Sequence, residues 1–174
     1  MEINAVMKPE NKNIQAWLML AKETRQHGGN LGYDDSAAEY YSWDSTVPNH
    51  SEPKIHDKIV IWDGETLVGT SVIQGIDVGS SKKIRLRCPH CNMTKIKQRH
   101  NTSPKYRCHN PECRTEFENP KQEIISVTTY RSNHPNFWYD LHGQLEAEEL
   151  REICKQPKSQ HSLRPLKWLD FLEA

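Results

Sequence analysis

Long hydrophobic runs are missing from this sequence. No stretch of about eighteen consecutive apolar residues occurs, which excludes a membrane-spanning helix. Residues 1–12 lack the apolar centre of a signal peptide, and together the two absences predict a soluble, cytoplasmic protein. Apolar residues make up only 35% of the chain, so polar loops must take up much of it. Net charge is also absent: 23 basic residues balance 23 acidic ones, which argues against a chain coated all over by polyanion. Motifs of catalysis are missing too. There is no nucleophile elbow, phosphate-binding loop or HExxH pair. His50, His56, Asp57 and Asp63 can be assembled into acid–base pairs on paper, but nine histidines make chance pairs common. No catalytic residue is assigned.

What is present begins with size and aromatics. A chain of 174 residues is one ordinary domain, or one with a small appendage, and buries roughly 70% of its unfolded surface. Five Trp and six Tyr offset the sparse aliphatics, because each buries a large area.

Four of the five cysteines form two close pairs. Cys88-Pro-His-Cys91 is followed, after sixteen residues, by Cys108, and four residues separate Cys108 from Cys113. Two knuckles joined by a short loop have metal-ligand spacing. The segment is too short to bury a core, so a metal would supply its folding energy. Four thiolates complete a tetrahedron and leave no open position, so a Zn2+ here is structural. The alternatives are two disulfides, which a reducing compartment disfavours, or unrelated thiols; His90 or His109 replaces a thiolate only if a cysteine fails. Cys154 stands apart as an inert thiol.

Charge is concentrated around these cysteines. Residues 81–121 hold eleven basic and three acidic side chains, a net +8, which leaves −8 for the remainder. A basic module on an acidic body suggests an anionic partner, with a solvated surface as the alternative. Lys82, Lys83, Arg85, Lys95, Lys97, Arg99 and Lys105, with Arg131, Lys158 and Arg164 elsewhere, are candidate contacts to a nucleic-acid backbone.

Periodicity predicts a helix over 11–26, with Ile14, Trp17, Leu18 and Ala21 at helical spacing, Asn11 or Asn13 as cap and residues 27–30 as terminator. Residues 40–50 show no clear period and are expected as loop or strand end. Strands are expected at 58–62 and 67–73 around an Asp63-Gly64 turn, at 123–130, at 137–141 and at 162–166, with helices at 146–154 and from Trp168. Short strands flank the cysteine pairs, giving a zinc ribbon. The expected fold class is α+β: a small, mainly antiparallel β-barrel with flanking helices, formed by 1–80 and 122–174, with the ribbon inserted at 81–121.

Several segments, in order along the chain, resemble the PUA-like superfamily, which includes EVE, YTH, ASCH and SRA domains. Residues 54–62 (Lys-Ile-His-Asp-Lys-Ile-Val-Ile-Trp) and 67–73 look like its first hairpin, with His56 where glycine is usual. Residues 150–156 and 160–168, closing on Ser162-Leu163-Arg164-Pro165-Leu166 and Trp168, are similar to the end of EVE domains, and residues 136–141 to their penultimate strand. Residues 41–46 resemble the YTH segment that offers a cage tryptophan. With its ribbon, the chain looks like the N-terminal reader of HNH-type, McrA-like modification-dependent restriction endonucleases. That resemblance implies binding of double-stranded DNA carrying 5-methylcytosine or 5-hydroxymethylcytosine, with the base flipped into an aromatic pocket. It also implies a nuclease domain beyond Ala174, since no HNH pattern occurs within the chain.

Tyr40, Tyr41, Ser42, Trp43, Asp44, Ser45 and Trp62 are the candidate pocket residues. Aromatics would stack on the base, and Asp44 would accept from a cytosine amino group. Core packing is the alternative for Tyr41, Trp43 and Trp62. Two other functions compete: an RNA-binding PUA-like protein, and a zinc-stabilised protein-interaction domain.

Overall fold

Strands covered on both faces carry apolar residues without alternation, and two such strands organise this protein. A computed structural model describes residues 15–22 and 33–174. β1 (Ala16–Leu20) and β3 (Lys58–Trp62) lie side by side and parallel, with Trp17 beside Ile59 and Met19 beside Ile61. Around them run β4 (Leu67–Val72), β10 (Tyr139–Asp140) and β11 (Leu163–Pro165), giving a five-stranded sheet in the order β10-β4-β3-β1-β11. Its other neighbours are antiparallel.

Alternation divides these strands between two cores. Ala16, Leu18, Val60 and Trp62 face Leu150, Cys154 and Phe171, which belong to the side carrying α1 (Ala147–Glu152) and α2 (Trp168–Glu173). Trp17, Met19, Ile59 and Ile61 face Tyr41, Trp43 and Ile73. Tyr41 and Trp43 come from β2 (Tyr40–Asp44), the edge of a second sheet ordered β2-β9-β5, in which β5 (Gly75–Arg87) and β9 (Lys121–Asn133) pair over thirteen residues each. At the far end of that hairpin sits a third small sheet of β6 (Ile96–Gln98), β7 (Tyr106–Cys108) and β8 (Glu116–Phe117).

Four expectations change. Residues 16–20 are strand, not helix: Trp17 and Leu18 are both buried because opposite faces are covered, which imitates helical spacing. The proposed caps and the terminator at 27–30 lie outside the described residues. Residues 40–44 form a regular strand rather than a loop. Residues 137–141 break into a 3-10 turn, Pro135–Phe137, and the two-residue β10, since Pro135 starts a turn and has no N–H for a ladder. Finally, the sheets do not close into a barrel among the described residues; each keeps its edge strands. The architecture is mostly β, largely antiparallel, with two short helices. The junctions expected at 81 and 121 fall inside or at the end of paired strands, so the cysteine module rides on a continuous hairpin.

Candidate metal centre and cleft

Each cysteine pair is set by its own turn. Cys88 follows β5; its N–H donates to the Met93 carbonyl at 2.9 Å and its carbonyl accepts from Asn92 N–H at 2.9 Å, with Asn92 at φ 62°. In the second turn, Cys113 and Arg114 N–H both donate to the Asn110 carbonyl at 3.0 Å, and Arg114 has φ 50°. Positive φ at these two positions folds the backbone tightly enough to bring the flanking sulfurs together.

The four sulfurs meet. The Sγ atoms of Cys88, Cys91, Cys108 and Cys113 all lie within 4.8 Å of one another, with Cys88–Cys113 at 3.8 Å and Cys91–Cys108 at 3.5 Å. A tetrahedron with Zn–S bonds of about 2.3 Å has edges of roughly 3.8 Å, so the donor set fits such an ion. No cysteine is in a disulfide, and His90 and His109 stay exposed outside the cluster. Backbone donation from Met93 pulls the Cys91 thiol down to about 6, whereas burial and the neighbouring thiols push Cys108 up to about 12. The Thr115 hydroxyl, 3.2 Å from the Cys113 sulfur, lowers that thiol. Packed thiols without a cation cannot all ionise; a divalent metal removes that conflict. Among the described residues the apolar support is Phe117, Tyr106 and Ile96, a cluster separate from the two main cores.

Cations surround this centre. Lys95, Lys97 and Lys105 are exposed, as are Arg107 and Arg114, while Lys82 is exposed farther back along β5 at the cleft; none is within ion-pair distance of a carboxylate among the described residues. Register places Lys97 beside Arg107 on one face of the small sheet, while Ile96 and Cys108 face the metal site. Other candidates are engaged. Arg99 pairs with Glu116 at 2.8 Å, and Lys83 pairs with Asp44. Arg85 is half-buried opposite Glu123. Lys158 is exposed, on the connection between α1 and β11. Arg164 is buried, at 5% exposure, so it is not a phosphate contact: its Nε donates to His161 O at 2.6 Å and its guanidinium lies 5.2 Å from the Trp62 ring.

The predicted aromatic pocket separates into two faces of β2. Tyr41 and Trp43 point into the core, 0% and 1% exposed; Trp43 Nε1 donates to His50 O at 2.8 Å and its ring stacks on Tyr130 at 5.4 Å. They are core residues with no ring face to offer a base. Trp62 lies in the other core, on the helix side of the five-stranded sheet. Ser45 follows the strand, its N–H bonded to Thr128 O at 2.9 Å and its Oγ accepting from Thr128 N–H at 3.1 Å.

Tyr40, Ser42 and Asp44 share the opposite face, above a cleft of about 600 Å3 on the β2-β9-β5 sheet, lined by Ser42 and Asp44 and also by Tyr33, Asp34, Asp77, Lys83, Thr129 and Arg131. Arg131 donates to Ser42 Oγ at 3.2 Å, pairs with Asp34 at 3.1 Å and lies 4.4 Å from the Tyr40 ring. Lys83 Nζ sits 4.2 Å from the Tyr33 ring while paired with Asp44. Burial opposes charge on Asp44, but Lys83, the Thr46 hydroxyl and the Thr46 N–H at 2.9 Å together hold its carboxyl below the usual range. Both Asp44 oxygens are therefore occupied, and the carboxylate meets a base only if Lys83 swings away. Tyr33, Asp34 and Asp77 are participants the sequence did not single out. A period of two begun at Tyr40 would have separated Ser42 and Asp44 from the core pair, but nothing local marks Tyr33 or Asp77.

No family model, no curated protein and no solved structure matches this chain.

Proposed function

We propose that this protein binds double-stranded DNA, gripping phosphates with a zinc-stabilised ribbon and admitting a flipped, modified cytosine to the cleft on the β2-β9-β5 sheet. The observation that carries the proposal is the group of exposed cations around the four-cysteine cluster that have no carboxylate partner among the described residues, on the same hairpin whose base lines the cleft. Cations so placed bind phosphate without reading sequence, and weaken with salt. A cleft of this size falls in the range that holds small-molecule-sized groups. Within it, the face of Tyr33 is covered by Lys83, and Arg131 at its wall lies over the neighbouring Tyr40. An entering base displaces one of these cations, stacks on the tyrosine and regains the few kcal/mol spent on unstacking. Zn2+ suits four thiolates, and its part here is structural. The likeness of residues 54–73 and 150–168 to PUA-like readers supports the same reading and adds a nuclease partner domain.

Gel-shift titration of one duplex carrying cytosine, 5-methylcytosine or 5-hydroxymethylcytosine tests this. Tighter binding to a modified duplex is expected, with Tyr33→Ala reducing the preference because it removes the stacking face in the cleft. The pair Lys97→Ala and Lys105→Ala should weaken all duplexes alike and flatten the log–log salt slope by about 2. Equal affinity for all three duplexes overturns the modified-base reading, tighter binding to single-stranded RNA replaces DNA with RNA, and no binding to any polynucleotide leaves a protein-interaction module.

A further inference from the structure

β5 leaves one long edge unpaired. It bonds to β9 along all thirteen residues, and among the described residues no strand pairs with its other side. Backbone N–H and C=O groups alternate in direction along a strand, so about half of those on β5 point outward, a template for another strand. Residues 77–82 are exposed in succession, and Val78 and Ile84 are 65% and 44% exposed.

This edge is complementary to itself. Antiparallel pairing over its full length puts a two-fold axis through the middle residue, Ser81. Val78 then faces the partner subunit's Ile84, and Ile76 the partner subunit's Leu86. On the other face Asp77 meets the partner subunit's Arg85, and Gly79 the partner subunit's Lys83. Directly opposed residues interact strongly: apolar and opposite-charge pairs stabilise, like charges destabilise. Here every cation of β5 meets Gly, Ser or Asp. Neighbouring registers lose this. An axis through Lys82 sets that lysine against its own copy, an axis through Ser80 sets Val78 against Lys82, and both leave strand ends unpaired.

We infer that β5 is a dimer interface, at which two copies of this chain join edge to edge about Ser81 into one six-stranded sheet, β2-β9-β5-β5-β9-β2. Lysines on a lone edge strand normally discourage association; here the two-fold gives each a neutral or acidic neighbour. The occupant is a second copy because the pattern of charge and apolar side chains matches its own reverse. The same axis turns each cysteine module, with six basic and three acidic side chains over residues 88–120, away from the other and toward the partner's end of the seam at residue 75. At about 3.3 Å per residue, the ribbons stand at opposite ends of a seam of roughly 43 Å. The inference does not depend on DNA binding.

Sedimentation velocity of the metal-loaded full chain from 1 to 100 µM (about the range for a modest dimer) should show a monomer–dimer equilibrium. Val78→Glu should weaken it at least about tenfold with an unchanged circular dichroism spectrum. Ser81→Cys should form an interchain disulfide under mild oxidation, mapped by mass spectrometry, because directly opposed Cα atoms lie about 4.5–5.5 Å apart, within disulfide reach. Gly79→Cys or Lys83→Cys alone should not cross-link, but an equimolar mixture of the two should. A monomer at every concentration overturns the inference and leaves the β5 cations as edge protection. Cross-linking of Gly79→Cys alone as fast as Ser81→Cys overturns the register, and with it the complementarity on which the dimer rests.

Discussion

Asp44 and Lys83 illustrate how a single pair can be both structural and functional. Their side chains are only 5% and 18% exposed, and the bond spans two strands, from β2 to β5 across β9. Asp44 titrates below its ordinary value, so its contribution is present above the unfolded carboxyl pKa of about 3.9 and is lost as pH falls through the lower folded value. Asp44→Asn should therefore cost about 1.5–3 kcal/mol near pH 7. Urea titrations at pH 7 and pH 3 provide the check: the gap between variant and parent should shrink at pH 3. A gap independent of pH would mean that Asp44 acts through packing alone. At this scale the sequence marked Asp44 for its chemistry, but its partner lies thirty-nine residues away, a distance no local pattern bridges.

Elements pack by shape, and β4 shows a residue chosen for what it lacks. A Cβ added at Gly69 would lie 2.4 Å and 2.5 Å from two Trp138 ring carbons and 2.6 Å from Tyr139 O. The bare glycine lets the turn before β10 lay its indole against β4 and lets β10 pair there. Gly69→Ala should displace that indole and cost of order 1–3 kcal/mol, visible as altered Trp fluorescence and a lowered thermal midpoint; an unchanged midpoint would show that Trp138 moves freely aside. The strands at 58–62 and 67–72 were legible because a turn signal separates two apolar runs. Asp63 accepts from Glu65 and Thr66 N–H at 2.8 Å and Gly64 takes φ 103°, as that signal demands. β1 was misread as helix because burial on both faces erases the period of two. Most of β5 leaves no mark in the sequence, because Gly79, Ser80, Ser81, Lys82 and Lys83 carry no apolar alternation; their pairing comes from β9.

At the scale of the molecule, three apolar clusters among the described residues set what should unfold together. Two lie on either face of the five-stranded sheet, while the third, around Cys88, Cys108 and Phe117, belongs to the ribbon alone. So small a cluster buries little apolar area, and a metal on the four cysteines would supply the folding energy it lacks. Elemental analysis should find one zinc per chain. Stripping it with a chelator should abolish amide-exchange protection over 88–117 and leave β1, β3 and β4 protected, together with a large loss of DNA affinity. Loss of protection throughout the body would show instead that ribbon and body fold as one unit.

The sequence by itself determined which four cysteines meet, because two knuckles place sulfurs through local turns. It likewise determined the charge of the ribbon, since lysines remain cations wherever the chain carries them. Only the tertiary structure decided which aromatics are available and which are core. The period of two in β2 sets Tyr41 and Trp43 on one face and Tyr40 on the other, but only the five-stranded sheet decides which face is covered. It also decided that Arg164 is buried against Trp62, that Lys83 is spent on Asp44, and that β5 ends its sheet with an open edge. Each of these depends on which surfaces meet, and surfaces meet through residues far apart in the chain.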